Sequence, residues 1–476
     1  MKKSRLFIEN FVVYGIGGII SKIIPLIMLP IITRLMPNSF YFGINDLSNT
    51  LVSFGSAIAI LGMYDAMYRM FFENDDIEYK QMICSTTILF TSAVSIIVSL
   101  AIIILQKPIA IFLFGDAQYK NLLYLSAMSI LIGSTNSIVS APTRMQNKRG
   151  VYLTINTVSP ILSYSISVPL LLKGYYIIAL PVATVTTAFL TEIMFWIINK
   201  KWFDYKKFNK KYLKQMLIIA IPLVPNFLIY WIFNASDRLL IAKILGNDYV
   251  GIYAIGAKLG LCSQLIYTAF AGGWQYFAFA TMKENNQVKT NSLIFEYLGI
   301  ITFVASAFIM ALAYPIYKLF FQGDYRGGYV VSGYLFMAPL LQMLFQVACN
   351  QFIIIKKTWP NAIILLAGAA INLALNFVLI PIFGIEGAAI ATLAGYATAV
   401  CVCCIVLCKM KLMEISQRFI LSVLFMMAYI LVWRLFFREQ WITSCLLSTA
   451  LAFVFLILFK RDIIMLFSSL KKRNKE

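Results

Sequence analysis

The stretch PIAIFLFGDAQY (Pro108–Tyr119) has an echo later in the chain, PIYKLFFQGDYR (Pro315–Arg326). Its Gly115-Asp116 pair returns as Gly323-Asp324, 208 residues on. RLMPNSFYFGI (Arg34–Ile44) resembles KILGNDYVGI (Lys243–Ile252), which aligns Gly43 with Gly251 at the same offset of 208. Lys148-Arg149 precedes Lys356-Lys357 by that interval too, and LKGYYIIALPVAT resembles IFGIEGAAIATLA with Gly174 and Gly384 offset by 210. Apolar sequences match by chance easily, but four matches in order at nearly one offset read as an internal duplication.

The material between the echoes is hydrocarbon-like. Of 476 residues, 61% are hydrophobic and 13% charged, against roughly 45–50% and about 25% in soluble domains. Apolar runs of about 20 residues, enough to cross a bilayer, fall near 11–33, 47–68, 83–105, 121–141, 151–172, 176–198, 216–236, 251–279, 295–317, 329–350, 361–382, 386–408, 418–437 and 441–459. The expected fold is therefore an all-α polytopic membrane protein of fourteen transmembrane helices. The repeat interval holds six spans, an even number, so the copies share one orientation and form parallel repeats. The domains expected are an N-lobe (1–199, spans 1–6), a basic cytoplasmic linker (200–215), a C-lobe (216–409, spans 7–12), and spans 13–14 with a basic tail (410–476).

Charge sets the orientation. With the N-terminus in the cytoplasm, and Arg418 and Arg434 near the ends of their span counted with the adjoining loops, inner segments carry 28 Lys plus Arg and outer loops 10, the asymmetry of the positive-inside rule. Both termini are then expected inside, in a bacterial cytoplasmic membrane. The net charge of +20 reads as topology and not as a nucleic-acid surface. The N-terminal apolar run is too long for a signal peptide and carries Lys22 at its centre, so it is read as a retained span. In the echoed phrase itself, Gly-Asp is a turn signal, and the apolar half suits a short helix lying along the outer membrane surface.

Several chemistries are excluded or unsupported. There is no histidine, so a His relay or His-ligated metal cannot exist. Four of eight cysteines (Cys401, Cys403, Cys404, Cys408) share one apolar helix without zinc or disulfide spacing, and read as small apolar filler. No Gly-x-x-x-x-Gly-Lys-Ser/Thr loop is present. Breaks between spans leave no room for a catalytic domain, and no paired carboxylates of the acid/base kind stand out. No enzyme activity, cofactor or metal is expected. The longest inner break, NKKWFDYKKFNKKYLKQ (Asn199–Gln215), is basic and aromatic, suited to lie on anionic headgroups.

Charges within spans mark candidate sites. Lys22 sits about 16 Å from either end of its span at 1.5 Å per residue, too deep to snorkel easily, with Pro25 and Pro30 following. A cation beside a broken helix is a substrate-site pattern. Lys258 lies nearer an end, where snorkelling and cavity-facing stand equally. Asp65 and Arg69 are spaced for an intrahelical pair, either an interfacial brace or an inner gate, and Asp237-Arg238 reads as gate or helix end. A cationic cavity suits a phosphate or pyrophosphate group.

The stretches IIPLIMLPIITRLMPNSFYFGIND (Ile23–Asp46), GMYDAMYRMFFE (Gly62–Glu73) and NASDRLLIAKILGNDYVGIYAIGAKL (Asn234–Leu259) resemble the polysaccharide flippases of the multidrug/oligosaccharidyl-lipid/polysaccharide exporter superfamily. The resemblance covers essentially the whole chain. It implies two six-helix bundles working by alternating access, moving undecaprenyl-pyrophosphate-linked oligosaccharide repeat units from the inner to the outer leaflet for capsule, O-antigen or exopolysaccharide assembly. Lipid II flippases and multidrug exporters of the same superfamily are the neighbouring branches. Implied partners are the lipid-linked glycan and bilayer lipids, with a polysaccharide polymerase and a chain-length regulator as candidates. Carried onto this chain, the pattern marks Arg34, Tyr253 and Lys258, with Lys22, as substrate-binding. It marks Asp65, Arg69, Asp237 and Arg238 as gate or ion-pair residues. The first copy departs from it, GYYIIALPV standing where the second has GIEGAAIAT.

Overall fold

The computed structural model describes residues 23–462 apart from 261, 268, 269, 271–273, 275–277, 279, 280, 282–285, 356 and 358. Among the described residues there are helices and no strands. In chain order they are α1 (Ile23–Leu35), α2 (Ser39–Ile60), α3 (Met63–Phe71), α4 (Ile77–Ile104), α5 (Gln106–Phe114), α6 (Leu122–Met145), α7 (Arg149–Leu172), α8 (Ala179–Asn199) and α9 (Lys210–Ala220). Then follow α10 (Val224–Ile244), α11 (Asn247–Gly260), α12 (Gln287–Phe320), α13 (Tyr329–Ile354), α14 (Trp359–Phe383), α15 (Ile385–Lys409), α16 (Gln417–Val432) and α17 (Trp441–Leu458). Among the described residues ten helices are long and apolar enough to cross a membrane, or up to twelve if two bent pairs each count as one span. Of the fourteen expected spans, those at 11–33 and 251–279 fall partly outside the described residues.

The bends have local causes. The span expected at 47–68 begins at Ser39 and turns by 45° between α2 and α3. Leu61 and Gly62 there are both left-handed, at φ 48° and 72°. Gly62 suits this turn because a Cβ would lie 2.8 Å from the Ala220 carbonyl oxygen of α9, closer than side-chain carbons come. The second pair, α9 with α10, bends by 46° where Pro222 and Pro225 each remove a backbone donor.

The echoed phrase folds in two ways. In the first copy the helix stops and restarts, α4 ending at Ile104 and α5 running to Phe114. Pro108 cannot donate to the Ile104 carbonyl and its ring crowds it, which breaks the helix there. In the second copy α12 runs through Pro315 as one helix of 34 residues. The turns themselves agree. Gly115 (φ 80°) and Gly323 (φ 55°) are both left-handed, and each opens a 3-10 turn, at Ala117–Asn121 and Gly323–Gly328. A glycine in this conformation ends a helix without steric cost.

The helices divide into two compact units. The first comprises the described residues up to Ile255, with Gln322–Tyr325 and Asn376–Gly384. Within it α6 packs against α2, α4 and α8. Its core gathers Met63, Met67, Ile83, Ile138, Phe195 and Trp202, from α3, α4, α6, α8 and the segment after α8. The second comprises Gly256–Phe321, Arg326–Leu375 and the described residues from Ile385 onward. Here α13 is the central helix, packed by α12 and α15 and buried along most of its length.

The last two helices form a hairpin on α12 that is fastened at three levels. At one end Glu296 of α12 accepts from the Ser416 backbone N–H at 2.7 Å and its hydroxyl at 2.9 Å. Arg418 lies 3.8 Å from Glu296 and 2.5 Å from Asp462. At mid-height, the Tyr429 and Ser448 hydroxyls both donate to the Ala307 carbonyl, at 2.9 and 3.1 Å. At the other end, a π-helical turn (Trp433–Phe437) brings Arg434 and Arg438 onto Glu386, at 2.8 and 2.9 Å. Tyr334 donates to the same carboxylate at 2.9 Å.

Glu386 is thus one buried carboxylate serving two guanidinium groups. Glu386→Gln keeps the shape and removes the charge. It is expected to lower stability by about 2 kcal/mol, the scale of hydrogen bonds to charged groups. Thermal unfolding in detergent beside wild type reads this, and an unchanged midpoint would show that the arginines re-pair with water at no loss.

Candidate functional site: a buried ion network in the first unit

The first unit carries a polar cluster in its interior. Asp46 lies two turns into α2, with Ile44 and Leu47 beside it fully buried. Asp237 and Arg238 are neighbours on α10, so their side chains leave the helix about 100° apart. One reaches each way. Arg238 Nε donates to Asp46 Oδ2 at 2.5 Å, and Arg238 Nη1 donates to the Asn234 carbonyl one turn back. Asp237 accepts from Tyr253 Oη of α11 at 2.5 Å and from Asn376 Nδ2 of α14 at 2.7 Å. The guanidinium also lies 5.8 Å from the centre of the Tyr253 ring. Asp46, Asp237, Tyr253 and Asn376 are all buried.

What allows such close approach is a pair of glycines. A Cβ on Gly43 would collide with the Asn247 carbonyl oxygen, and one on Gly251 with the Ser39 carbonyl oxygen. Ser39 and Gly43 are the residues that precede Asn247 and Gly251 by 208 positions. The contact is therefore reciprocal: each duplicated segment presses its glycine on the other's backbone, the self-complementary logic of a two-fold interface. Gly43 is one turn before Asp46, and Gly251 two residues before Tyr253, so the crossing sets where both polar side chains stand.

The α2–α10 contact continues along the helices. Trp231 Nε1 donates to Ser53 Oγ at 3.2 Å, and its ring lies 4.6 Å from that of Phe54. As α2 advances from Asp46 to Ser53, α10 retreats from Arg238 to Trp231, so the pair is antiparallel here. Tyr325 completes the rim by donating to the Asn38 carbonyl at 2.8 Å.

In apolar surroundings such charges persist only when paired and hydrogen-bonded. Every oxygen of Asp237 has a neutral donor, while Asp46 shares its charge with Arg238. An arrangement of this kind locks four helices together, α2, α10, α11 and α14. It can release only if a proton, cation or competing anion takes over one of the partners. Among the described residues no group of three His, Cys, Asp or Glu side chains could hold a metal ion.

Of the residues marked by sequence, the structure brings together Asp237, Arg238 and Tyr253. Lys258 is exposed, further along α11. Arg34 is exposed near the end of α1. Asp65 and Arg69 both lie on α3, but Arg69 pairs with Glu73, at 3.8 Å. Lys22 lies outside the described residues. Sequence reasoning missed Asp46 and Asn376. Asp46 stood one residue before the expected start of span 2, although the apolar residues on both sides (YFGINDLSNTLVSF) were the signal that the span begins earlier.

With this geometry in hand, comparison with known proteins gives a family match. Residues 31–327 match the family described as "Polysaccharide biosynthesis protein". A curated relative, protein 1 of the Lsg locus of Haemophilus influenzae, is 22% identical over 271 residues, covering 55% of this chain. The chain spans 63% of that relative's length. Among solved structures, the lipid II flippase MurJ in an inward closed conformation superposes with a TM-score of 0.72 at 16% identity, over 95% of this chain and 100% of that one. An inward-facing MATE multidrug transporter of the MOP superfamily gives 0.59 at 14% identity, over 83% and 98%. A MOP-superfamily transporter from Pyrococcus furiosus gives 0.60 at 13% identity, over 85% and 95%. At these identities the likeness is one of fold.

Proposed function

Since this chain belongs to the polysaccharide biosynthesis protein family and has the fold of the MOP-superfamily flippases and transporters, we propose that it is a lipid-linked oligosaccharide flippase. Its substrate is an undecaprenyl-pyrophosphate-linked repeat unit, moved from the cytoplasmic to the outer leaflet for capsule, O-antigen or exopolysaccharide assembly. The observation that carries this reading is the buried Asp46–Arg238–Asp237 network. A membrane protein keeps charges inside its helices where they serve a pathway or a switch, and this one ties α2 to α10, α11 and α14.

In the proposed mechanism Lys22, Arg34 and Lys258 attract the pyrophosphate, Tyr253 orients it once release of the lock frees its hydroxyl from Asp237, and the polyprenyl tail stays in lipid. Asp237-Arg238 is the lock whose release accompanies alternating access, with Asp65 and Arg69 at the inner mouth. Differential affinity of the ligand for the two states drives the change. The full architecture in this proposal is fourteen spans, in two six-helix lobes (1–199 and 216–409) joined by a basic linker, with spans 13–14 appended. It sits in a bacterial cytoplasmic membrane with both termini inside, and a polymerase and a chain-length regulator are proposed partners. A lipid II flippase is the second reading, favoured by the superposition over the whole of that flippase chain.

Reconstitution in liposomes tests this directly. Labelled undecaprenyl-pyrophosphate oligosaccharide, lipid II and a cationic drug are offered in parallel to wild type and Lys22→Ala. Wild type is expected to move the oligosaccharide lipid. Lys22→Ala should be slower by about 10- to 100-fold, the factor for losing one charge-assisted hydrogen bond. Equal rates for both variants would remove Lys22 from the site, and movement of lipid II or drug alone would replace the substrate assignment.

A further inference from the structure

The basic segment following α8 is folded and pinned to the first unit. Gln81 Nε2 donates to the Lys201 carbonyl at 2.7 Å. The Asp204 N–H donates to Ser85 Oγ at 2.9 Å, and the Asn209 N–H to Thr86 Oγ1 at 3.0 Å. Trp202 is buried with its ring 5.3 Å from Phe71, and Asn209 caps α9 by accepting from the Lys211 and Tyr212 N–H groups. Residues spaced through the first turns of α4 thus hold the segment in one conformation.

What this fixed segment presents outward is unusual. Lys200, Lys201, Lys206, Lys210, Lys211 and Lys214 are exposed, and only Lys207 is drawn in, bonding Gln81 at 2.6 Å and Glu78 at 3.5 Å. Nearby acids are otherwise engaged. Asp204 caps the Lys206 N–H, and the Lys80 ammonium beside Asp75 holds that carboxyl below the usual carboxylate range. Between the lysines, Tyr205 is 75% and Phe208 45% exposed. Helix stability does not explain the pattern, because lysines in the first turn of α9 oppose the helix dipole.

We propose that residues 200–214 form a preformed docking surface for anionic phospholipid headgroups, with the exposed ammonium groups taking phosphates and Tyr205 and Phe208 entering the headgroup layer. The chain itself locates the surface at the lipid–water boundary. It follows the apolar helix α8 and leads into the bent span α9–α10. Aromatic rings beside cations at that depth are the pattern of an interfacial anchor, and each lysine adds attraction to an anionic leaflet. A soluble polyanion would use the lysines and leave the two rings in water. This assignment is independent of the transported substrate.

The test uses full-length protein in nanodiscs, with an environment-sensitive fluorescent residue encoded at position 205 in place of Tyr205. Emission is compared in pure phosphatidylcholine and in mixtures with phosphatidylglycerol. A blue shift is expected only with phosphatidylglycerol, reversed at 1 M salt, where the Debye length is about 3 Å. In the variant Lys206→Gln, Lys210→Gln, Lys214→Gln the affinity for the anionic surface should fall by about fivefold per lysine, so that the blue shift is lost at the phosphatidylglycerol fraction that is half-maximal for wild type. The corresponding Lys→Arg variant should respond like wild type. Identical emission in both lipids, or an unchanged response in the Gln variant that elutes as a monodisperse protein, would overturn the proposal. So would the same shift produced by inorganic phosphate in neutral nanodiscs.

Discussion

Arg238→Met is expected to cost about 3–5 kcal/mol and to abolish the proposed transport, because it strands the Asp46 carboxylate in an apolar interior. The pair is well protected, the Arg238 and Asp46 side chains being only 17% and 7% exposed, so water cannot take over. The informative control is the double variant Asp46→Leu with Arg238→Met. Replacing both members of a buried pair by apolar groups is often neutral or stabilising. The double variant should therefore recover most of the thermal midpoint lost by the single one. Transport separates the two roles of the pair. If stability returns and oligosaccharide transport does not, the network is part of the working cycle. If both return, it is a brace.

Gly43→Leu should have a larger effect still. Overpacking a core commonly costs about 1–3 kcal/mol, when side chains can shift. Here the obstacle is the Asn247 backbone itself, and only separation of α2 from α11 would relieve it. That separation pulls Asp46 away from Arg238, so the variant is expected to fail to accumulate as a monodisperse protein. Gly251→Leu should behave alike, since its obstacle is the Ser39 backbone. Gly133→Ala is the matched control. It sits in α6, where an added Cβ would meet nothing within 4 Å, and gains helix propensity worth up to about 1 kcal/mol. Size-exclusion profiles and thermal midpoints of the three variants decide the matter.

How legible the protein was depends on whether the signal was local. Left-handed turns at Gly115 and Gly323 were legible because a Gly-Asp pair marks each in the chain. The ten to twelve spans found among the described residues were legible because burial in hydrocarbon demands long apolar runs. The break after α2 was not, since Leu61 adopts a left-handed conformation that its residue type does not advertise. Within the candidate site, Asp237-Arg238 stood out as charges in an apolar context. Their partners did not: Asp46 is 192 positions from Arg238 and Asn376 is 139 from Asp237, and no periodicity within a helix connects residues so far apart. The Gly43–Gly251 alignment was visible as a repeat, but the mutual contact of the two glycines belongs to packing.

The three-level fastening of the final hairpin has a consequence for how the chain is made. Glu296 and Glu386 precede in the chain Arg418, Arg434 and Arg438, whose guanidinium groups pair with them. Until synthesis passes these residues, both carboxylates lack the guanidinium groups that neutralise them in the finished protein. A chain cut after Lys409 would keep every side chain of the Asp46–Arg238–Asp237 network and still carry two uncompensated acids in its second unit. The hairpin thereby closes the charge balance of the second unit, and its arginines are the last of these groups to be made.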